Sequence, residues 1–172
     1  MADTINSVKE NILNTLATYN CLWTLAAISS EEYNSNSYRD GPNALNKVIF
    51  SSAGRYGEKR VPTVDGIPEF FINNVEIKTF VGPSAPAGNT NQQLFTFELF
   101  EPYSMGLFLQ SLQTAAKNAN YISYMQDAPY VLRLDIEGQS TINSFTSLGP
   151  WYFCLRVQEI MWSANESGSK YY

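Results

Sequence analysis

The chain contains no histidine. That removes Ser-His-Asp and Cys-His catalysis together with the commonest general base. It also nearly excludes the usual zinc ligand sets, because the only two cysteines, Cys21 and Cys154, form no CxxC pair. Each cysteine sits inside an apolar run, where a small buried hydrophobe is the expected role and a mutual disulfide the lesser one. Charge is scarce too: 16% of residues are Asp, Glu, Lys or Arg, against about 25% in an average soluble domain. A surface so poor in charge is expected to meet other protein. The net charge of −5 opposes free binding to nucleic acid or an anionic membrane. No stretch reaches the roughly 18 apolar residues of a membrane helix, and "MADTINSVKENILNTL" lacks a secretion leader. A soluble, reduced protein without a membrane partner is therefore expected, and Asn165-Glu166-Ser167 reads as a chance glycosylation sequon.

What the chain does have is apolar and aromatic mass, 44% hydrophobic and 14% aromatic residues over 172 positions, enough for one core. Residues 1–172 are read as a single domain. Val8, Ile12, Leu13 and Leu16 predict a short N-terminal helix with Ser7 as its cap. "TYNCLWTLAAIS" (18–29) predicts a strand covered on both sides, with Tyr19, Cys21, Trp23, Leu25 and Ala27 on one face and Leu22, Ala26 and Ile28 on the other. Residues 30–69 are rich in turn formers apart from a candidate strand in "ALNKVIF" and are read as a long irregular loop or arm. "FFINNVEIKTFVG" and "QLFTFELFE" predict a hairpin, the first strand placing Phe71, Val75, Ile77 and Val81 inward. Gly82, Pro83, Pro86 and Gly88 are expected to keep the tip out of the ladder.

At Glu101-Pro102 the hydrophobic period changes from two to about 3.6 residues. Pro102 suits a first helical turn, and Met105, Phe108, Leu109, Leu112, Ala115 and Ala116 form one buried helical face opposite Gln110, Gln113, Thr114 and Lys117. "APYVLRLDIEG" returns to period two, with Tyr130, Leu132, Leu134 and Ile136 inward and Arg133, Asp135 and Glu137 outward. One long strand is expected from Trp151 to about Ser163, then a turn and "KYY" as the start of a returning strand. A strand broken off there implies a fragment of a longer chain or an edge completed by a neighbour. The elements together predict an α+β fold: mostly antiparallel curved sheet, as a sandwich or part-barrel, with one main amphipathic helix packed on it.

Catalytic constellations are weak. Glu31-Glu32 in a polar loop and Asp135/Glu137 on an outward strand face read as solvated charge rather than a catalytic pair. "SSAGRYGEK" lacks the spacing of a phosphate loop. No catalytic residue, cofactor, metal or small-molecule substrate is expected. Arg55, Tyr56, Lys59 and Arg60 form the one basic cluster. Phosphate contact is one reading of it, and pairing with acidic residues of a neighbouring subunit is the favoured one. The aromatic set that includes Trp23, Phe95, Phe97, Phe100, Tyr103, Phe108, Tyr130, Trp151, Phe153 and Trp162 could line a carbohydrate site but mostly falls on core positions. Tyr171 and Tyr172 are expected to be exposed on an unfinished edge, and with Trp162 they are candidate subunit contacts.

The order strand, Glu-Pro, amphipathic helix, Pro-Tyr, strand, Gly, in "FTFELFEPYSMGLFLQSLQTAA" and "APYVLRLDIEG", resembles the tail-tube-like domains of bacteriophage baseplate and hub proteins, over about residues 70–138. After "DIEG" the chain departs from that pattern with "QSTINSFTSLGP". The resemblance implies a structural virion protein of the phage tail, assembled in the host cytoplasm near the tube-baseplate junction. It would form a homo-oligomeric ring with other tail or baseplate proteins, with phage DNA only as passing cargo. The competing reading is a non-enzymatic β-sandwich binding module, carbohydrate-binding or capsid-decorating. A carboxylate enzyme ranks last.

Overall fold

The structure, a computed structural model, describes residues 12–40, 47–52, 69–84, 88–102, 104–125, 128–140 and 145–172. Its frame is one mixed sheet of eight strands: β1 (Leu16–Ala27), β2 (Val48–Ser52), β3 (Glu69–Ser84), β4 (Gly88–Pro102), β5 (Pro129–Ser140), β6 (Phe145–Arg156), β7 (Trp162–Asn165) and β8 (Gly168–Tyr171). They lie in the order β6-β5-β1-β2-β3-β4-β8-β7, and only β2 and β3 run parallel. Two helices accompany them, α1 (Ser30–Ser35) and α2 (Leu107–Asn118). The α+β expectation holds.

The sheet cannot be flat. Strands β6 and β7 are its two edges yet are consecutive in the chain, joined by residues 157–161. That bridge spans about 20 Å at full extension, whereas seven strand spacings put flat edges about 34 Å apart. The sheet must therefore curl toward a part-barrel. The rings of Phe95 in β4 and Phe153 in β6, from strands five places apart, meet at 5.0 Å between centroids.

The concave face holds the main core. Trp23, Leu25 and Ala27 of β1 join Leu132 and Tyr130 of β5, Phe50, Phe70 and Leu99, and α2 covers them with Phe108, Leu112 and Ala115. Phe108 sits among Phe50, Phe70 and Tyr171 at centroid distances of 6.3, 6.0 and 4.9 Å. The opposite face of β1 and β5 carries a smaller cluster of Ala26, Ile28, Tyr38 and Val131, so β1 is covered on both sides as its composition predicts.

Several expectations need correction. Of the N-terminal helix, residues 7–11 lie outside the described residues, Ile12–Thr15 form a 3-10 turn, and Leu16 already opens β1. Residues 30–40 are not irregular: Ser29 caps α1 in a reciprocal box with Glu32, and a 3-10 turn at Ser37–Asp40 follows. The candidate strand in "ALNKVIF" is borne out at its end, where Val48–Ser52 form a central strand, while residues 44–46 lie outside the described residues. Phe71 faces outward, half exposed, while Phe70 and Ile72 turn inward. A bulge between Asn73 and Glu76, with Asn74 in the left-handed region at φ 50°, shifts the alternation in mid-strand. The β3–β4 ladder continues through Pro83 to the pair Ser84 and Gly88, so Pro83 does not stop it, and Pro86 lies outside the described residues. Pro102 ends β4 and is not helical, and Met105 precedes α2, exposed. The expected strand from Trp151 to Ser163 is two strands on opposite edges of the sheet.

Candidate assembly surface

The β7–β8 hairpin is built by its turn. Asn165 Oδ1 accepts the Ser167 N–H at 2.9 Å, and Gly168 adopts φ 135°, where a Cβ would collide with the Glu101 carbonyl. Met161 and Tyr172 exchange both backbone hydrogen bonds, at 3.1 and 2.8 Å. In an antiparallel ladder bonded pairs alternate, so Ser163 and Asn165 also face β8, and the N–H and C=O groups of Trp162 and Ala164 point to the open edge. All four β7 residues are exposed, Trp162 to 50%.

This edge is fixed to the body through Tyr171. The expectation of an exposed contact residue fails: Tyr171 is 2% exposed, because β8 pairs with the last turn of β4 as Leu99 with Tyr171 and Pro102 with Gly168. Its Oη donates to Glu101 Oε2 at 2.7 Å and accepts the Gly106 N–H at 3.1 Å. Glu101 is fully buried. Its Oε1 also accepts from Ser104 Oγ at 2.6 Å and the Leu107 N–H at 3.0 Å, and its Oε2 from the Phe108 N–H at 3.0 Å. Gly106, the residue at the cap of α2, brings no side chain to the helix amides, so Glu101 caps them from six and seven residues upstream. Burial pushes the Glu101 pKa up, but hydrogen bonds from Ser104, the Phe108 amide, Tyr171 and the Leu107 amide outweigh it and hold the carboxyl below its ordinary range. Burial, then the neighbouring carboxylate, pushes Tyr171 up to about 12. Trp162 stacks on the outside of this staple, its ring 6.4 Å from that of Tyr171 and tilted by 20°. Tyr172 is exposed, as expected.

The outer half of the β3–β4 hairpin is a second unfilled surface. Glu76, Ile77, Lys78, Thr79 and Phe80 are exposed in succession, as are Gln93 and Leu94 opposite, so both faces are bare there. Ile77, Phe80 and Leu94 are 43%, 54% and 37% exposed. Two strands without a packed face are marginal in water.

The acidic pairs are not simple solvated charge. Glu32 closes the α1 capping box and meets Lys47 Nζ at 2.7 Å. Burial raises its pKa, and the bonds from Lys47 and Ser29 outweigh that and leave it lowered. Asp135 is 7% exposed and holds Arg133 by two contacts of 2.8 Å, since its face of β5 is covered rather than open. Glu137 is half-buried. Cys21 and Cys154 are both exposed and free, which corrects their reading as buried hydrophobes. Cys21 shares the Trp23 face through its partner Ile136, Cys154 lies opposite Val131 on the other face, and β5 runs between them, so they cannot bridge.

Arg55, Tyr56, Lys59 and Arg60 lie outside the described residues, as does Tyr103. Of the aromatic set, Trp23, Phe108 and Tyr130 are core, while Trp151 and Trp162 are exposed. The sequence marked Trp162 and Tyr172 as contact candidates, and both are exposed, but it gave no sign of Glu101 and Tyr171 as partners, since no local pattern links residues 70 positions apart. No helix among the described residues is long and apolar enough to cross a membrane. Compared with known protein families, curated proteins and solved structures, the chain shows no match.

Proposed function

We propose that the protein is a structural component of a bacteriophage tail or baseplate, at the tube-baseplate junction or hub, and assembles with copies of itself into a ring through β-sheet contacts. One observation carries the reading: among the described residues the curled sheet ends in two different edge strands, β6 and β7, with the Trp162 and Ala164 backbone groups directed outward on the latter. An edge that differs from its counterpart favours head-to-tail pairing of β7 with β6 of the next copy. Such a heterologous contact closes a ring when its rotation divides a full turn. Four residues of ladder are far short of the roughly 1,200 Å² of a stable interface. The β3–β4 arm, with Ile77, Phe80 and Leu94 bare, supplies the remainder by lying against a neighbour.

Light scattering of the purified chain at rising concentration, followed by negative-stain imaging, tests this reading. A discrete oligomer with a central opening is expected. A species that stays monomeric at high concentration, alone and with tail proteins added, would overturn it.

A further inference from the structure

The outward face at the base of the β3–β4 hairpin holds a shallow open depression of about 330 Å³, lined by Phe71, Asn73, Glu98, Leu99, Phe100 and Lys170. Its place follows from register. Phe71 pairs with Phe100, Asn73 with Glu98, and Lys170 of β8 with Phe100, and paired residues share a sheet face. The Phe71 and Phe100 rings stand 6.4 Å apart, tilted by 34°, with Phe71 49% exposed.

The chemistry of the lining favours one class of ligand. Glu98 and Lys170 place one acid and one base on the same small surface, so an anion meets the carboxylate and a cation meets the ammonium. A wholly apolar ligand would strip water from Glu98, Asn73 and Lys170 without replacing their hydrogen bonds, which is unfavourable for each group left unpaired. A neutral ligand with an apolar flank and a rim of hydroxyls meets every requirement. Its polarised C–H groups lie on the negative faces of the two rings, Glu98 accepts, Lys170 donates and Asn73 does both. The depression is at the small end of ligand-pocket sizes, which fits one ring rather than an extended chain.

We infer that this depression is a binding site for a single neutral sugar ring of a glycan. The site lies on the body of one copy and does not depend on the ring assembly proposed above. A concave site this open binds weakly, so saturation-transfer difference NMR with the methyl glycosides of glucose, galactose and N-acetylglucosamine, each at about 10 mM, is the suitable assay. Transfer to the C–H protons of one sugar face is expected for at least one of the three. Phe71→Ala should weaken that signal at least tenfold and Glu98→Gln severalfold, with a cooperative unfolding transition retained in both, since both side chains contact water. Glu31→Gln, remote on α1, should leave it unaltered. Absence of transfer with all three sugars, or transfer that survives both Phe71→Ala and Glu98→Gln, overturns the assignment. So does a mass measurement in which Phe71→Ala breaks an oligomer apart, because the face would then be a protein contact.

Discussion

Tyr171 Oη donates to Glu101 Oε2 at 2.7 Å across 70 residues of sequence, and the same carboxylate caps the first two amides of α2. The outer hairpin and the helix that seals the core are therefore held by one side chain. Tyr171→Phe keeps the ring against Phe108 and removes only the hydroxyl. A loss of about 1.5–3 kcal/mol is expected, the range for a hydrogen bond to a charged group, read from urea unfolding. A variant as stable as the parent would show that the bond contributes nothing.

The two ends of this bond titrate in opposite directions. Glu101 is held below the ordinary value of 4.5, so the unfolded chain takes up its proton first. The stability it lends is complete above about pH 4.5 and is lost as pH falls through its folded value. Tyr171 is raised from 10.0 to about 12. Its contribution is complete below pH 10 and is lost as pH climbs through 12. Unfolding midpoints measured across both windows should fall at each end. Tyr171→Phe should flatten the alkaline limb and Glu101→Gln the acid one; parallel curves for parent and variants would refute the assignment.

The β7 ladder distinguishes adjacent backbone positions. Ala164→Pro removes an outward N–H and should leave the fold intact while blocking edge pairing. Ser163→Pro removes an N–H directed at β8 and should free the hairpin, which hydrogen exchange at Lys170 would register. In the light-scattering assay Ala164→Pro should shift the protein toward smaller species. If it assembles like the parent, this edge is not the contact.

On α2, Leu112 is 1% exposed, and Leu112→Ala should cost about 2–5 kcal/mol. Gln113 is a different case from a simple solvent-facing residue. Its Nε2 donates to the Ile122 carbonyl at 2.9 Å and its Oε1 accepts the Tyr124 N–H at 3.4 Å. Gln113→Ala should therefore cost about 1 kcal/mol and speed amide exchange at Tyr124, with α2 still in place.

Cys21 and Cys154 face opposite sides of the sheet, so mild oxidation should give no intrachain bridge. Although Cys21 is exposed as a residue, partial desolvation raises its thiol pKa, and alkylation at neutral pH should be slower there than at a fully solvated thiol. Peptide mass mapping after timed labelling reads both outcomes.

Much of the frame is legible in local periodicity. The two faces of β1, the inward row Tyr130, Leu132 and Leu134 of β5, and the buried stripe Phe108, Leu112, Ala115 and Ala116 all follow from spacing alone. The failures share physical causes. At Asn74 a single residue with positive φ resets the alternation, and nothing in "FINNVE" marks where the shift falls. The Ser29 to Glu32 capping box was present to be read but lay among turn formers. Between Arg156 and Trp162 the apolar pattern continues while the chain leaves one sheet edge for the other, with Val157 and Ile160 packing on the core as it crosses. Burial looks alike in a strand and in an extended crossing. The Glu101 staple could be half anticipated, since a glutamate beside a helix start favours the dipole, but its tyrosine partner is set by tertiary pairing alone.

The crossing at residues 157–161 acts as a tether of fixed length between the two rims of the sheet. Shortening it would pinch the gap and add curvature, and lengthening it would let the rims splay. In a closed assembly of the proposed kind the number of copies depends on the angle each one subtends, so the few residues that link the two edge strands would govern how many protomers complete the circle.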